Sequence, residues 1–446
     1  MSWLDSVFGM AIPAILCNAA SGGHGGNRRS GRPPVVLTFV AHYLPGYKAG
    51  GPLRSLVNLT KGLDGQFAFR IVTSDRDLGD RHSYVGIRSN VWQNLGNAQV
   101  MYLSPGRRWW LIFKVLYKGD YDAVYLNSYF DRTFSMLASW LRPLGVFPDV
   151  PWLLAPRGEF SPGAMRLKKW RKSLYVWLTR KLGLYDEIVW HASTTVERND
   201  IIQVIGLRQA ISLTSDRTLD RAAIVIARSL FEGRIIIASD IAIHLPDLRK
   251  IRPPKLPGHL EVIFISRISR KKNLDTALRI LSAVQGRVNF TVYGPIEEAR
   301  YWAECESLIK SMPSNICVTY RGDLTHDQVI DAFRVSNLFL FPTYGENYGH
   351  VIIEALVAGC PVLLSDQTPW RRLEEAGIGW EYPLERLDQF RATIDACVRM
   401  DNEEFIRFSQ RAMEFGCQNI NSSGNLEDNR AMFKELCVNV YRECDK

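Results

Sequence analysis

Eleven short apolar runs, each followed by a longer helical stretch, govern what this chain can fold into. Six lie in the first half: VVLTFV (35–40), FRIVTS (69–74), AQVMYL (98–103), DAVYLN (122–127), PWLLAP (151–156) and EIVWHAS (187–193). Five lie in the second: LEVIFIS (260–266), VNFTVYG (288–294), ICVTYRG (316–322), LFLFPT (338–343) and PVLLSD (361–366). Strand-like runs alternating with helical patterns predict parallel sheet built from βαβ units. The pattern restarts near residue 260, so the expected fold class is α/β with two doubly wound, Rossmann-like domains facing a cleft. One is expected over 34–250 and the other over 258–425, within the two to three domains that about 446 residues allow. Pro246, Pro253, Pro254 and Pro257 mark 246–257 as the hinge. Residues 1–33 read as a flexible extension, an apolar stretch without the basic start of a signal peptide followed by a Gly/Ser/Arg tether. Leu207–Glu232, with Arg217, Arg221 and Arg228, reads as a helical excursion.

None of the eight cysteines forms a C-x-x-C pair, which favours a reducing, cytoplasmic setting. No apolar run is long enough to span a bilayer. The net charge of +9 is uneven: residues 1–250 carry 32 Lys+Arg against 19 Asp+Glu, and residues 251–446 carry 23 against 27. The basic half is expected to meet an anionic partner. Within it, MRLKKWRKSLYVWLTRKL (165–182) places Leu167, Trp170, Leu174, Trp177 and Leu178 at helical spacing. Lys168, Lys169, Arg171, Lys172, Arg180 and Lys181 surround them, and Arg107-Arg108-Trp109-Trp110 repeats the theme. Two readings stand side by side: a face that docks on an anionic membrane surface, or a tryptophan face that is core with a solvated charged flank.

The most informative segment is FPTYGENYGHVIIEALVAGCP (341–361). A strand ends near Thr343, a turn carries Gly345, and a helix opens near Tyr348–Gly349 and stops at Gly359 before Pro361. That helix is apolar nearly all round, yet Glu354 sits inside it with no cation in helical reach. A buried carboxylate is costly unless something pairs with it. A ribose with its hydroxyl donors would do so, and the alternative is an ion pair with a distant arginine. Eight positions earlier Glu346 lies on the loop that feeds the helix, beside the open N–H groups expected around Asn347, Tyr348, Gly349, His350 and Val351.

This E-x₇-E with G-x-E-x-x-G, between strand and helix, resembles the signature of family 4 of the glycosyltransferases, retaining enzymes of the GT-B fold. FISRISRKKNLDTALRIL (264–281) carries Arg267 and Lys272 where that family grips the donor diphosphate, while Arg270 and Lys271 have no assigned place. RGDLTHDQVIDAF (321–333) resembles the turn that passes the nucleobase, through Asp323 and Leu324. Gly50 and Gly51 match the family's glycine loop. Where many members carry a His-Gly that contacts the transferred sugar, this chain reads Arg157-Gly158-Glu159.

The resemblance implies a retaining, metal-independent transferase that moves a sugar from a nucleotide-sugar donor to a glycan or lipid-linked acceptor in polysaccharide biosynthesis, at the inner membrane face. Glu346, Arg267, Lys272 and Arg157 are the expected catalytic residues. The donor site is expected at Gly50, Gly51, Arg267, Lys272, Asp323, Leu324, Glu346 to Val351 and Glu354, with no metal, cofactor or nucleic acid. Residues 426–446 are expected to form a helix that packs back on the N-terminal domain. The rival readings are a metal-dependent transferase using Asp75-Arg76-Asp77, a sugar-nucleotide epimerase of the same fold, and a non-catalytic basic glycan- or membrane-binding protein.

Overall fold

The structure is a computed structural model and describes residues 32–166, 169–206, 233–241, 252–421 and 424–443. The excursion expected at 207–232, nearly all of the N-terminal extension, Leu167, Lys168 and the hinge as far as residue 251 lie outside the described residues. From Pro34 onward the chain is one compact unit built on two sheets.

The N-terminal sheet has eight strands: β1 (Val35–Phe39), β2 (Ala68–Ser74), β3 (Trp92–Leu95), β4 (Ala98–Leu103), β5 (Ala123–Leu126), β6 (Trp152–Leu154), β7 (Val189–Ala192) and β8 (Ile235–Ile237). Their order is β3-β4-β2-β1-β5-β6-β7-β8, parallel except for the edge strand β3. Its helices are α1 (Gly51–Gly62), α2 (Arg108–Lys118), α3 (Leu137–Leu141), α4 (Pro162–Arg166), α5 (Lys169–Lys181) and α6 (Thr195–Ile201). The C-terminal sheet comprises β9 (His259–Ile265), β10 (Arg287–Tyr293), β11 (Ile316–Tyr320), β12 (Leu338–Phe341), β13 (Val362–Ser365) and β14 (Gly379–Tyr382). It is wholly parallel, in the order β11-β10-β9-β12-β13-β14. Its helices are α7 (Leu274–Leu281), α8 (Ala299–Lys310), α9 (His326–Arg334), α10 (His350–Val357), α11 (Leu387–Arg399) and α12 (Asn402–Asn421), followed by α13 (Gly424–Glu443).

The central strands are buried on both faces, which is why they stand out as continuous apolar runs rather than alternating ones. One core of the N-terminal sheet gathers Phe39, Ile112, Tyr129 and Trp190, and the other gathers Leu56, Phe69 and Tyr125. The second core is closed by Met432, Phe433 and Leu436 of α13. The Phe433 ring lies 5.5–5.7 Å from those of Phe67, Phe69 and Tyr125, so the last helix packs on the N-terminal domain. Residues 252–257 belong instead to the C-terminal domain. Lys255 Nζ donates to the carbonyls of Val398 and Met400, and an Arg252 Nη donates to that of Ala358.

The face of α5 also corrects one of the two readings of the basic helix. Val176 and Thr179 point inward, while Trp170 (67%), Leu174 (53%) and Trp177 (47%) are exposed. The tryptophan face is therefore not core.

Candidate functional site

The loops at the C-terminal ends of the two parallel sheets meet, as expected of ligand sites in doubly wound folds. After β12 the chain passes Thr343 and Gly345 to Glu346, then turns at Gly349 into α10. Gly349 has φ 82°, and a Cβ there would stand 2.7 Å from Ile352 Cδ1, so glycine alone fits. The first helical bonds are donated by Ile352 and Ile353 to the Gly349 carbonyl. The N–H groups of His350 and Val351 precede them at the positive end of the helix.

Glu346 pairs with Lys272, which follows β9 on the turn before α7, and both side chains are largely buried. Burial alone would raise the Glu346 carboxyl, but Lys272 and Lys271 hold it below its ordinary value. Lys271, which the sequence leaves without a place, is on the same side. Burial, with Lys272 as a like charge, lowers its ammonium to about 8. Arg267 stands at the edge of this group, 3.0 Å from Glu297. Arg270 turns away onto Glu304 and the Tyr301 ring. Lys271, Lys272 and, at the edge and shared with Glu297, Arg267 thus gather around Glu346, poised for a multiply charged anion.

Glu354 meets its cation from across the cleft. Arg54 of α1, 300 residues away in sequence, pairs with Oε1, and His326 Nδ1 lies 3.8 Å from the same oxygen. The distant-arginine alternative is therefore present. Oε2, however, is buried and has no hydrogen-bond partner among the described residues. An orphaned carboxylate oxygen in such a place matches a ligand hydroxyl. Both the ion pair and a ligand contact fit one side chain.

Across the cleft, Gly50 has φ 72° and Gly51 opens α1; a Cβ on Gly51 would lie 3.9 Å from His350 Cδ2. The loop before them is held by Asp77, whose Oδ2 accepts the N–H groups of Tyr47 (2.8 Å) and Lys48 (3.2 Å) and whose Oδ1 accepts that of Leu78. Asp75 is likewise buried, between Arg76 and Ser89. Asp77 thus shapes the glycine loop while Asp75 is tied to Arg76 and Ser89, and no group of three or more metal-ligating side chains occurs among the described residues. Asp323 and Leu324 lie half-buried before α9. Burial raises the Asp323 carboxyl, against the pull of Lys48 from the other domain.

Two expected residues, Asn347 and Arg157, and the neighbouring Glu159 are committed elsewhere. Asn347 Nδ2 donates to Ser193 Oγ (2.6 Å) and Glu197 Oε2 (2.9 Å), so this side chain ties the domains together. Glu159 accepts from Ser128 Oγ and the N–H groups of Tyr129 and Phe130, which is a loop-fixing role. Arg157 does not reach open cleft. Its side chain is 5% exposed, and its nitrogens donate to Asp240 Oδ1 (2.6 Å), the Tyr125 hydroxyl (2.7 Å) and Asn127 Oδ1 (2.9 Å). As a catalytic sugar contact it is corrected to a buried anchor, because every acceptor it faces belongs to the protein.

Residues 249–412 match the family model of the glycosyl transferases group 1. A D-inositol 3-phosphate glycosyltransferase of Rhodococcus erythropolis is 31% identical over 119 residues, 25% of this chain and 26% of the relative. The sulfoquinovosyl transferase SQD2 of Arabidopsis thaliana is 28% identical over 103 residues, 23% of this chain and 18% of the relative. The matches thus span about a quarter or less of those curated relatives. The Anabaena protein HepE, crystallised with UDP and glucose, superposes with a TM-score of 0.60 at 14% identity, covering 90% of this chain and 99% of its own. That likeness shows the GT-B fold.

Proposed function

We infer that this chain, whose residues 249–412 belong to the group 1 glycosyl transferases and whose two domains follow the GT-B fold, transfers a sugar from a nucleotide-sugar donor to a glycan or lipid-linked acceptor. One observation carries the reading. Cations and a helix N-terminus face Glu346 at one end of the cleft, and a carboxylate with an unpartnered oxygen, Glu354, stands one helical turn along α10 from that N-terminus. The spacing suits a diphosphate followed by a ribose.

In this reading Arg267, Lys271, Lys272 and the N–H groups of His350 and Val351 neutralise the diphosphate as the bond to the anomeric carbon breaks. Glu354 Oε2 accepts a ribose hydroxyl, and the turn at Asp323–Leu324 borders the base. Gly50 and Gly51 let the N-terminal domain approach the donor closely. Fixed cations supply the charge that a metal would otherwise provide, and the acceptor hydroxyl approaches the face the diphosphate leaves and gives up its proton to a departing diphosphate oxygen, which retains configuration. UDP-sugars are the first donors to try, because HepE holds UDP. Turnover is expected to persist in EDTA, and the product should keep the donor's anomeric configuration by proton NMR. Activity silenced by chelation, or an inverted product, would overturn the corresponding half of this reading.

The exposed aromatic face supports work at an anionic membrane surface, with the catalytic cleft on the cytoplasmic side. No helix among the described residues is long and apolar enough to cross a membrane. Trp109, Trp110 and Tyr117 on α2 and Trp140 on α3 are exposed as well, on helices that cover the same core as α5. Lys114, Lys118, Lys169, Arg171 and Lys181 are exposed among them. Lys172 and Arg180 are not available, because they donate to the carbonyls of Ala164 and Ile205. Anionic vesicles should sediment the protein, with binding fading as salt shortens the Debye length from about 10 Å toward 3 Å. At about 1 kcal/mol per basic residue, replacing Lys114, Lys118, Lys169 and Arg171 with Gln should release it. Equal binding to neutral vesicles would rule the surface out.

A further inference from the structure

Four buried polar side chains form a continuous chain across the cleft. Arg157 Nη1 donates to Asp240 Oδ1 at 2.6 Å, Ser55 Oγ donates to Asp240 Oδ2 at 2.7 Å, and Ser55 Oγ lies 2.9 Å from His350 Nε2. Asp240 Oδ2 is itself 3.5 Å from that nitrogen. All four side chains are more than nine-tenths buried. Asp240 sits on the segment after β8, held at its backbone by Asn425 and flanked by the bond from Asn429 of α13 to the Ser239 carbonyl.

Arg157 has no acceptor atom, so Asp240 is a carboxylate receiving its proton-bearing nitrogen. Ser55 has one hydroxyl hydrogen, and its shortest acceptor is that charged carboxylate. The alternative, the Gly51 carbonyl, is at 3.1 Å. With its hydrogen directed to Asp240, Ser55 offers only a lone pair to His350. A lone pair on Nε2 would then face both the hydroxyl oxygen and the carboxylate, an arrangement with no proton between three acceptors. Only a proton on Nε2 pairs every group.

We propose that Arg157, Asp240 and Ser55 are positioning residues that fix His350 as its Nε2–H tautomer, leaving Nδ1 as an acceptor for a hydroxyl of the bound donor. This rests on the donor-site reading above. It assigns to His350 the hydroxyl contact that Arg157, buried behind Asp240, does not make. His350 begins α10 and lies against Gly51, so its ring stands where the glycine loop and the helix N-terminus converge. The relay spans both domains, so the ring is oriented only when the cleft is closed as it is here. His350 thereby links closure to recognition of the donor.

The test uses the full chain labelled with ¹⁵N-histidine, with UDP-glucose as the probe and His350→Gln to assign the ring. The free protein should show His350 protonated at Nε2 and bare at Nδ1, and UDP-glucose should move the Nδ1 resonance. Ser55→Ala should mix the tautomers and weaken UDP-glucose about three- to tenfold, the loss of one ordinary hydrogen bond. Ser55→Thr, which keeps the hydroxyl, should stay within about twofold of wild type in the same titration. A ring protonated at Nδ1, or affinity unchanged in Ser55→Ala, overturns the proposal. So does an equal loss of affinity in Ser55→Thr, the mark of a packing role. A wild type that shows the Nε2–H ring but responds to none of the UDP-, GDP-, ADP- and TDP-sugars contradicts the donor reading while the relay stands.

Discussion

Lys272→Ala should cut sugar transfer by roughly 10²–10³-fold, the loss expected when one fixed donor to a developing anion is removed. Lys272 is buried against Glu346, with its ammonium 5.4 Å from the Phe341 ring. Breaking a buried ion pair usually costs about 3–5 kcal/mol, because the remaining charge has no partner. Here Lys271 also holds the Glu346 carboxyl down, so the carboxylate keeps a cation and the fold should survive. The departing diphosphate is less fortunate. It carries more charge than the ground-state donor, and Lys271 and Arg267 remain at positions set for their own contacts. The loss should therefore fall on kcat more than on donor affinity. A folded Lys272→Ala variant with wild-type kcat would remove the metal-free clamp from the account.

Arg157→Met should be the most destabilising single change near the cleft, costing about 3–5 kcal/mol in a urea titration at neutral pH. It strands Asp240, a carboxylate with 7% side-chain exposure, and deprives Tyr125 and Asn127 of their donor. Burial would push the Asp240 carboxyl up, but Arg157, His350 and Ser55 hold it well below the ordinary carboxylate range. A carboxyl depressed in the folded state stabilises the protein above its unfolded value, about 3.9, and that contribution is lost as pH falls below it. Without Arg157 the burial effect dominates, and the variant should take up the Asp240 proton on mild acidification. The gap between wild type and variant should therefore be widest at neutral pH and narrow as pH falls toward the carboxylate range. Arg157→Met combined with Asp240→Asn, which leaves no unpaired charge, should recover much of the loss. A gap that is small, or independent of pH, would show that the pair does not carry the stability assigned to it.

The two-sheet architecture was legible because each buried parallel strand writes itself locally as a run of apolar residues. β3, β8 and β14 left no such mark. β3 and β14 are half-exposed edge strands, and β8 is three residues long. The loop carrying Glu346, Gly349 and Glu354 was also readable, since turn, helix start and carboxylates fall within a few residues. What the sequence could not supply were partners. Glu354 finds Arg54 from 300 positions away, and Arg157 finds Asp240 from 83. Periodicity has nothing to say about such pairs. They also decide roles: Arg157 looks like a free cation in a glycine-flanked loop until Asp240 is placed beside it. Lys271 and Lys172 were masked in another way, each lying in a basic run whose members turn to different sides. An amphipathic pattern shows that a helix has two faces, and only the packing of Val176 and Thr179 shows which one is inside.

Binding of a nucleoside diphosphate sugar at Glu354 and the Lys272 cluster should show in thermal stability. Thermal unfolding of wild type and Glu354→Gln against a panel of UDP-, GDP-, ADP- and TDP-sugars reads this out, because a ligand specific for the folded state raises the midpoint by mass action. Glutamine keeps an oxygen for Arg54, whose side chain is 22% exposed, so the substitution alone should change stability little. At least one donor should raise the wild-type midpoint in proportion to the logarithm of its concentration. That shift should be much smaller in Glu354→Gln. A wild type stabilised by none of these donors, or shifts of equal size in both proteins, would contradict the account.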